Sequence, residues 1–492
     1  MLFNQQALLF KGFLNKSSFS NDISQKLKYK VGFVVTPWVF TAVPWYSVVL
    51  AVMSKRRGAE PVIIFDNLGF EKNDDEQIPI IEEILDEVSH YIKVIKLNEC
   101  TTSNILLEKN ELEEINRLSH LNTVWKLRTD DYGNEGKELE EYCRGKLIKN
   151  AIYIKSFFKN SLLDRIVVPG GIYSMSGLYR FYGKKCGIRV TTFDSGPNTV
   201  ISGFEDVAAY QMDTKEVVNN IEFLFSDEEI LEIKECAKKE LKLRQAGKGL
   251  VNYQSIDFDL AQMNVKFDVL FPLNIVWDAA ALGKHRFFKD SHSWIEETLE
   301  FILKQTNATV AVRQHPAESM FKEKYNVIES LSSKYCENNR VVIYSYDKCI
   351  NTYELLGSTK IVLPHTSTVG IEASILLKKV IIESDCYYSE ANFVEKANTK
   401  DEYFNLIMQA LQKDADNKEE SEALLYYYFS QVCGFLRTNF TPQPDDFLVW
   451  VKKDFDELLF NEEISILIES FLGEKSLTLL NALKKIRKES QN

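Results

Sequence analysis

Apolar and polar positions along this chain group into short β-branched runs separated by longer stretches of helical periodicity. The runs VGFVV (31–35) and PVIIFD (61–66) flank a helix-like stretch from Tyr46 to Arg57 that Gly58 closes, which predicts a strand, helix, strand unit. A second such unit runs from RIVVPGG (165–171) through SGLYRFYGKKCG to IRVTTFDSG (188–196). The alternation then becomes more regular: KFDVLFPL (266–273), TVAVRQHP (309–316), RVVIYS (340–345), KIVLPH (360–365) and KVIIES (379–384) are strand-like runs with helical patterns between them. Such βαβ alternation predicts a parallel sheet with helices on both faces and right-handed crossovers.

The stretch from about 75 to 160 is charged and helical in pattern, with Glu/Lys faces that read as solvated. The tail from about 416 is mostly helical and is interrupted by TPQPDD (441–446), whose prolines end a helix. At 492 residues the chain exceeds one ordinary core. The expected division is 1–250, an N-terminal Rossmann-like domain; 251–415, a second Rossmann-like domain; and 416–492, a helical extension packing back on the N-terminal domain. The fold class is therefore α/β, two Rossmann-like domains facing each other across a cleft, with a helical C-terminal tail.

Composition narrows the function. With 45% hydrophobic and 12% aromatic residues the chain has ample surface to bury, which excludes disorder. A formal net charge of -12 excludes a general electrostatic grip on nucleic acid, so any anion must be met by a local site. The 8 cysteines are spread singly, with no CxxC pair, and read as reduced cytosolic thiols. The N-terminus lacks a signal-peptide pattern, and no apolar run approaches the ~18 residues of a membrane span. A cytoplasmic protein is expected, with peripheral contact at the inner membrane as an option.

In a parallel sheet ligands bind beyond the carboxyl ends of the strands, and here those loops are polar. The first carries Asn274, Trp277, Asp278 and Lys284; the second Arg313, His315 and Glu318; the third Tyr346 and Asn351. The fourth reads PHTSTVGIEA, where His365, Thr366, Ser367 and Thr368 stand between a strand and a helix. Their hydroxyls and the free N–H groups of a first helical turn converge on one anion-sized volume, with Gly370 allowing close approach. Ser367 or Thr368 as an ordinary N-cap is the plainer alternative. His315 follows Arg313 and precedes Pro316, an arrangement suited to a phosphate, although a lone histidine is more often structural. Glu372 either holds ribose hydroxyls or completes a buried polar pair.

These motifs carry a resemblance. RQHPAE, INTYELL, VLPHTSTVGIEASILLKKVII and TKDEYF, in that order over about residues 268–404, resemble the capsule polysaccharide biosynthesis proteins, bacterial GT-B-type glycosyltransferases that include the Kdo transferases. NIVWDAAALG with Trp294, Glu297 and Thr298 belongs to the same pattern, while Lys378-Lys379 departs from the usual Gly-Lys. His-Pro followed by a Ser/Thr turn is also similar to bacterial sialyltransferases and polyol-phosphate polymerases. The resemblance implies transfer of a sugar, Kdo or another nonulosonic type, from a CMP-linked donor to a surface glycan or other bacterial acceptor. It puts His315, Ser367 and Thr368 on the donor phosphate.

The expected chemistry is metal-independent, with no cofactor beyond the nucleotide sugar. Charge on the departing phosphate falls to Arg313, His315 and the hydroxyl turn. Asp130-Asp131, the nearest thing to a metal motif, reads as a solvated pair. Asp194, past IRVTTF, is the candidate catalytic carboxylate, or else a turn former; His315 is the second catalytic candidate. Trp38, Phe40, Trp45 and Tyr46 are candidates for stacking on an acceptor sugar, or else an aromatic cluster. Two competing readings remain: a nucleotide-sugar epimerase of the same architecture, and a non-catalytic sugar-nucleotide-binding component of capsule assembly.

Overall fold

The computed structural model describes residues 3–16, 29–38, 41–248, 266–320, 327–348, 350–412 and 420–489. Phe40 and the expected boundaries near 250 and 415 lie outside the described residues. In chain order the strands are β1 (Lys30–Val35), β2 (Glu60–Phe65), β3 (Lys93–Lys96), β4 (Arg165–Pro169), β5 (Arg189–Gly196), β6 (Thr199–Phe204), β7 (Phe267–Pro272), β8 (Val310–Arg313), β9 (Val341–Tyr344), β10 (Thr359–Val362), β11 (Lys379–Ile382), β12 (Glu395–Lys396) and β13 (Leu436–Arg437). Contacts divide the chain into two units. The first comprises Met1–Asn122, Glu138–Asp213 and Cys433–Arg487, and the second Thr123–Lys137, Thr214–Val432 and Lys488–Asn492.

The first unit carries a sheet of order β13-β6-β5-β4-β1-β2-β3. Its five strands β3-β2-β1-β4-β5 are parallel; β6 pairs antiparallel with β5, and β13 antiparallel with β6. β1, β2 and β4 are buried almost throughout, which is why they read as unbroken apolar runs rather than alternating ones. The helix Val43–Arg56 is buried on all sides from Val43 to Ser54. It packs on β1, β2 and the helix Glu462–Leu472.

Two expectations need correction. The stretch 75–160 is not merely solvated helix: it contains β3, and Ile115, Leu118, Leu147, Ala151 and Ile154 sit in a core with β2 and β4 residues. The helices after residue 213 group with the second unit, not the first. There the helix Asp227–Gln245 buries Ile233, Ala237 and Leu241 and packs against the helix Glu420–Tyr427, so its apolar stripe fixes its allegiance. The tail is likewise divided, since residues up to Val432 stay with the second unit.

The second unit carries a parallel sheet of order β12-β11-β10-β7-β8-β9. Its five longer strands are the five read from the sequence. The chain moves outward from β7 to β9, then returns to lay β10 on the other side of β7, so the strand order reverses between β7 and β10. Both units are thus Rossmann-like. Among the described residues no helix is long and apolar enough to cross a membrane.

Candidate functional site

In a doubly wound sheet, the loops leaving the two strands at the reversal point splay apart and open a crevice. In the second unit these are the loops after β7 and β10, and one hydrogen bond joins them: Asn274 Oδ1 accepts from the Thr366 backbone N–H at 3.1 Å. The Thr366 hydroxyl beside it is buried without a hydrogen-bond partner. A cavity of about 370 Å³ opens here. Leu273, Asn274, Ser291, His292, Glu318, Glu329 and His365 line it, together with Thr129, Asp130 and Asp131 from the chain's N-terminal half.

The floor of the site is an acid between two histidines. Glu383, just after β11, accepts on Oε1 from His285 Nδ1 at 2.9 Å and from His365 Nδ1 at 2.7 Å. The two imidazoles stack with centroids 3.9 Å apart. Their Nε2 atoms meet Ser291 Oγ at 3.1 Å and the Ala281 carbonyl at 3.2 Å. Burial works against the Glu383 carboxylate, but the two histidines overcome it and hold the carboxyl at about 2. Burial, then His285, pulls His365 below its ordinary range. These three groups could in principle hold a metal ion. Glu383 Oε1, however, lies at hydrogen-bond length from both histidines, below the roughly 3.3 Å edge between ligands of a tetrahedral zinc. Both nitrogens of His365 face protein acceptors, so it shapes the β10 loop, where a nucleotide-binding side chain was expected.

Several other expected ligands are also structural. Arg313 is buried, and its guanidinium donates to the carbonyls of Ser345 (2.6 Å) and Ile350 (3.4 Å), pinning the loop after β9. Glu372 accepts from Tyr353 Oη at 3.0 Å and pairs with Arg244 at 3.3 Å, the buried polar pair rather than a ribose contact. Gly370 serves packing: a Cβ there would stand 2.6 Å from Tyr388 Oη. Asn351 caps the helix Thr352–Gly357, accepting from the Tyr353 N–H at 2.9 Å. Tyr346 is exposed beyond the edge strand β9, and Asp278, also exposed, accepts from the Ala280 N–H at 3.1 Å.

The hydroxyl turn and His315 are the remaining phosphate ligands expected. Ser367 Oγ accepts from the Val369 N–H at 3.3 Å, and Thr368 stands at the N-cap position without a side-chain capping bond. The helix that follows has only 7 residues, so the hydroxyls matter more than any helix dipole. His315 Nδ1 accepts from the Ala317 N–H at 3.2 Å, which puts the ring proton on Nε2. Burial, then the charges of Arg313 and Arg244, lowers its pKa from 6.5 to about 4, so it is neutral at pH 7. An unfolded chain takes up that proton near pH 6.5 and the folded one only near 4. Stability from this group is therefore full above pH 6.5 and falls as pH drops towards 4. Chemical denaturation from pH 6.5 to 4.5 should show a shallower decline for His315→Gln than for the parent; superimposed profiles would mean that the imidazole is not held neutral.

The sequence reading missed His285, Glu383, Ser291, His292 and the aspartate pair. Of the pair read as solvated, Asp131 is exposed, while Asp130 is half-buried and its Oδ2 accepts the Ser291 N–H at 2.7 Å, at the start of the helix Ser291–Gln305. The one available signal was Glu383 itself, an acid directly after the apolar run Val380–Ile382.

In the first unit, Trp45 and Tyr46 are fully buried. Trp45 stacks on Phe10 at 5.4 Å, and Tyr46 packs on Phe440 at 4.9 Å and donates to its carbonyl at 3.1 Å. They form the aromatic cluster, and neither offers a face to a sugar. Trp38 is half-buried at the carboxyl end of β1, and Asp194 is half-buried in β5, which continues through it into the β6 hairpin.

Two Rossmann-like units, one with a polar cavity at its strand ends, define the protein's α/β class. Within it, residues 225–430 match the family model of the capsule polysaccharide biosynthesis proteins, the family that the strand-end motifs resemble. Among solved structures the chain is similar to Thermosulfurimonas dismutans KpsC, beta Kdo 2,4 transferase, at 13% identity over 54% of this chain and 79% of that one, with a TM-score of 0.35. It is similar to Thermosulfurimonas dismutans KpsC, beta Kdo 2,7 transferase, at 13% identity over 70% and 85%, TM-score 0.34. It is also similar to UDP-GlcNAc 2-epimerase from Neisseria meningitidis, at 13% identity over 82% and 99%, TM-score 0.28. No curated protein matches the chain.

Proposed function

We propose that this protein is a metal-independent glycosyltransferase of capsule-type polysaccharide synthesis, taking a sugar such as Kdo from a CMP-linked donor. The observation that carries this reading is the cavity beside the Asn274–Thr366 bridge at the reversal point of the second sheet. Its lining bears Asp130, Asp131, Glu318 and Glu329, groups that accept hydrogen bonds and, when ionised, cannot donate them. Cytosine presents an exocyclic amine to such acceptors where uracil presents a carbonyl oxygen, and ribose hydroxyls can donate as well. The phosphate then falls to the hydroxyls of Thr366, Ser367 and Thr368 and to the neutral Nε2–H of His315. In transfer, the bond from the anomeric carbon to the phosphate oxygen breaks and its electron pair leaves with CMP. The acceptor oxygen takes its place on carbon, and its proton passes to a carboxylate, Asp194 in this reading.

CMP should raise the melting temperature of the protein more than UDP or GDP at equal concentration, and Asp131→Asn should narrow the CMP-over-UDP difference. A clear preference for UDP would sink the cytidine assignment. Epimerised or free sugar released without any acceptor would replace transfer by epimerisation.

A further inference from the structure

The first sheet has a reversal point of its own, between β1 and β4. The loop after β4 runs Gly170-Gly171-Ile172-Tyr173 into the helix Ser174–Lys185, 12 residues long. Gly170 and Gly171 both take positive φ, 71° and 99°. A Cβ on Gly171 would stand 2.8 Å from Thr192 Cγ2, and one on Gly170 would stand 3.3 Å from the Trp38 ring. The loop is thus bare backbone lying against an indole, and it leads to the positively polarised end of a helix.

Beneath that end lies Asn122, wholly buried. Its Oδ1 accepts from the Ser174 N–H at 2.7 Å, which fixes the orientation of the amide. The amino arm of the same planar group is thereby held beside the first turn, and it has no hydrogen-bond partner. A buried donor without an acceptor is costly to keep, and an oxyanion at the helix end would satisfy it. Arg180 adds a cation to this loop: its Nε donates to the Gly171 carbonyl at 3.2 Å, while Nη1 pairs with Asp206 at 3.2 Å. The acids of the neighbourhood include Asp206, held by that pair, Asp194, whose Oδ1 accepts from the Ser195 N–H at 2.7 Å, and Asp66, which meets Tyr179 of the same helix and whose carboxyl burial pushes up to about 7.

We infer that the β1–β4 crevice of the first unit binds an oxyanion, a phosphate or carboxylate, at Asn122 and the start of helix Ser174–Lys185, with the ring that carries it against Trp38. The oxyanion site stands on this geometry alone. That its owner is the sugar acceptor rests on the transfer reading above.

The test titrates the full chain with inorganic phosphate and, separately, with acetate at constant ionic strength, following the amide resonances of Gly171 and Ser174. Saturable shifts are expected by roughly 10 mM for at least one of them. The anion that saturates first tells whether the acceptor group is a phosphate or a carboxylate. Asn122→Asp, which sets a carboxylate where the amino arm was, should weaken binding at least tenfold while CMP affinity stays within twofold. Should that variant fail to fold, Asn122→Ser, which shortens the donor, should weaken it about threefold. No saturable shift with either anion, unchanged binding in the Asn122 variants, or CMP itself shifting these amides would overturn the proposal. Retained CMP binding alongside lost anion binding separates its failure from that of the donor site.

Discussion

Replacing Glu383 by leucine should destabilise the second unit by about 3–5 kcal/mol, the largest stability loss expected from any single side chain in the site. The carboxylate is wholly buried and is the common acceptor for both stacked histidines. Removing it leaves two imidazole N–H groups without their acceptor in a largely buried site. The damage is also topological. His285 belongs to the loop after β7, His365 to the loop after β10 and Glu383 to the end of β11, so a single oxygen ties three strand ends together.

The pH dependence supplies an independent check. Glu383 titrates near 4.5 in an unfolded chain and at about 2 in the folded one, so its contribution is complete above pH 4.5 and disappears as pH falls through 2. Glu383→Gln keeps the shape and removes the charge; its stability curve should lack that acid limb. Urea unfolding can be followed through Trp294, whose ring lies 6.1 Å from His285 and 5.9 Å from His365. Stability within 1 kcal/mol of the parent for Glu383→Leu would mean that the triad is not what holds the loops.

The contrast between what sequence showed and what it hid follows from range. Strands such as VGFVV, RIVVP and KVII were legible because a strand buried on both faces must be apolar without a break. β3, KVIK, was not, because it is a short edge strand with lysine at both ends, and charges of that kind protect an edge. The crevice loops were found by their place after strands, but their roles were not. Arg313 and His365 look like phosphate ligands in a linear text, and only the fold reveals that carbonyls and a glutamate already occupy them. Asp130 reaches its helix across 161 positions, a distance no local pattern encodes. Trp45 and Tyr46 were misread although a signal existed: VPWYSVVLAVMS is apolar on every face, the mark of a helix buried all round.

Asp194→Asn should lower sugar transfer at least about 100-fold, the usual contribution of a positioned general base, while CMP affinity changes by no more than about threefold. The residue stands at the carboxyl end of β5, where its neighbour Phe193 turns into the core, so alternation turns Asp194 away from it. Half-buried, it can meet an acceptor hydroxyl, and its Oδ1 accepts from the Ser195 N–H at 2.7 Å. The rival acid is Asp66, just past β2, whose carboxyl burial pushes up to about 7. At neutral pH Asp66 is half-protonated, and with 1% of its surface exposed it cannot touch an acceptor without a rearrangement. The pH profile of kcat/KM therefore separates the two. An acid limb near pH 7 that vanishes in Asp66→Asn would assign the base to Asp66. Loss of turnover in Asp194→Asn, with that limb unchanged in Asp66→Asn, would assign it to Asp194. Near-normal turnover of Asp194→Asn would remove it from the mechanism altogether, because an amide cannot take the acceptor's proton.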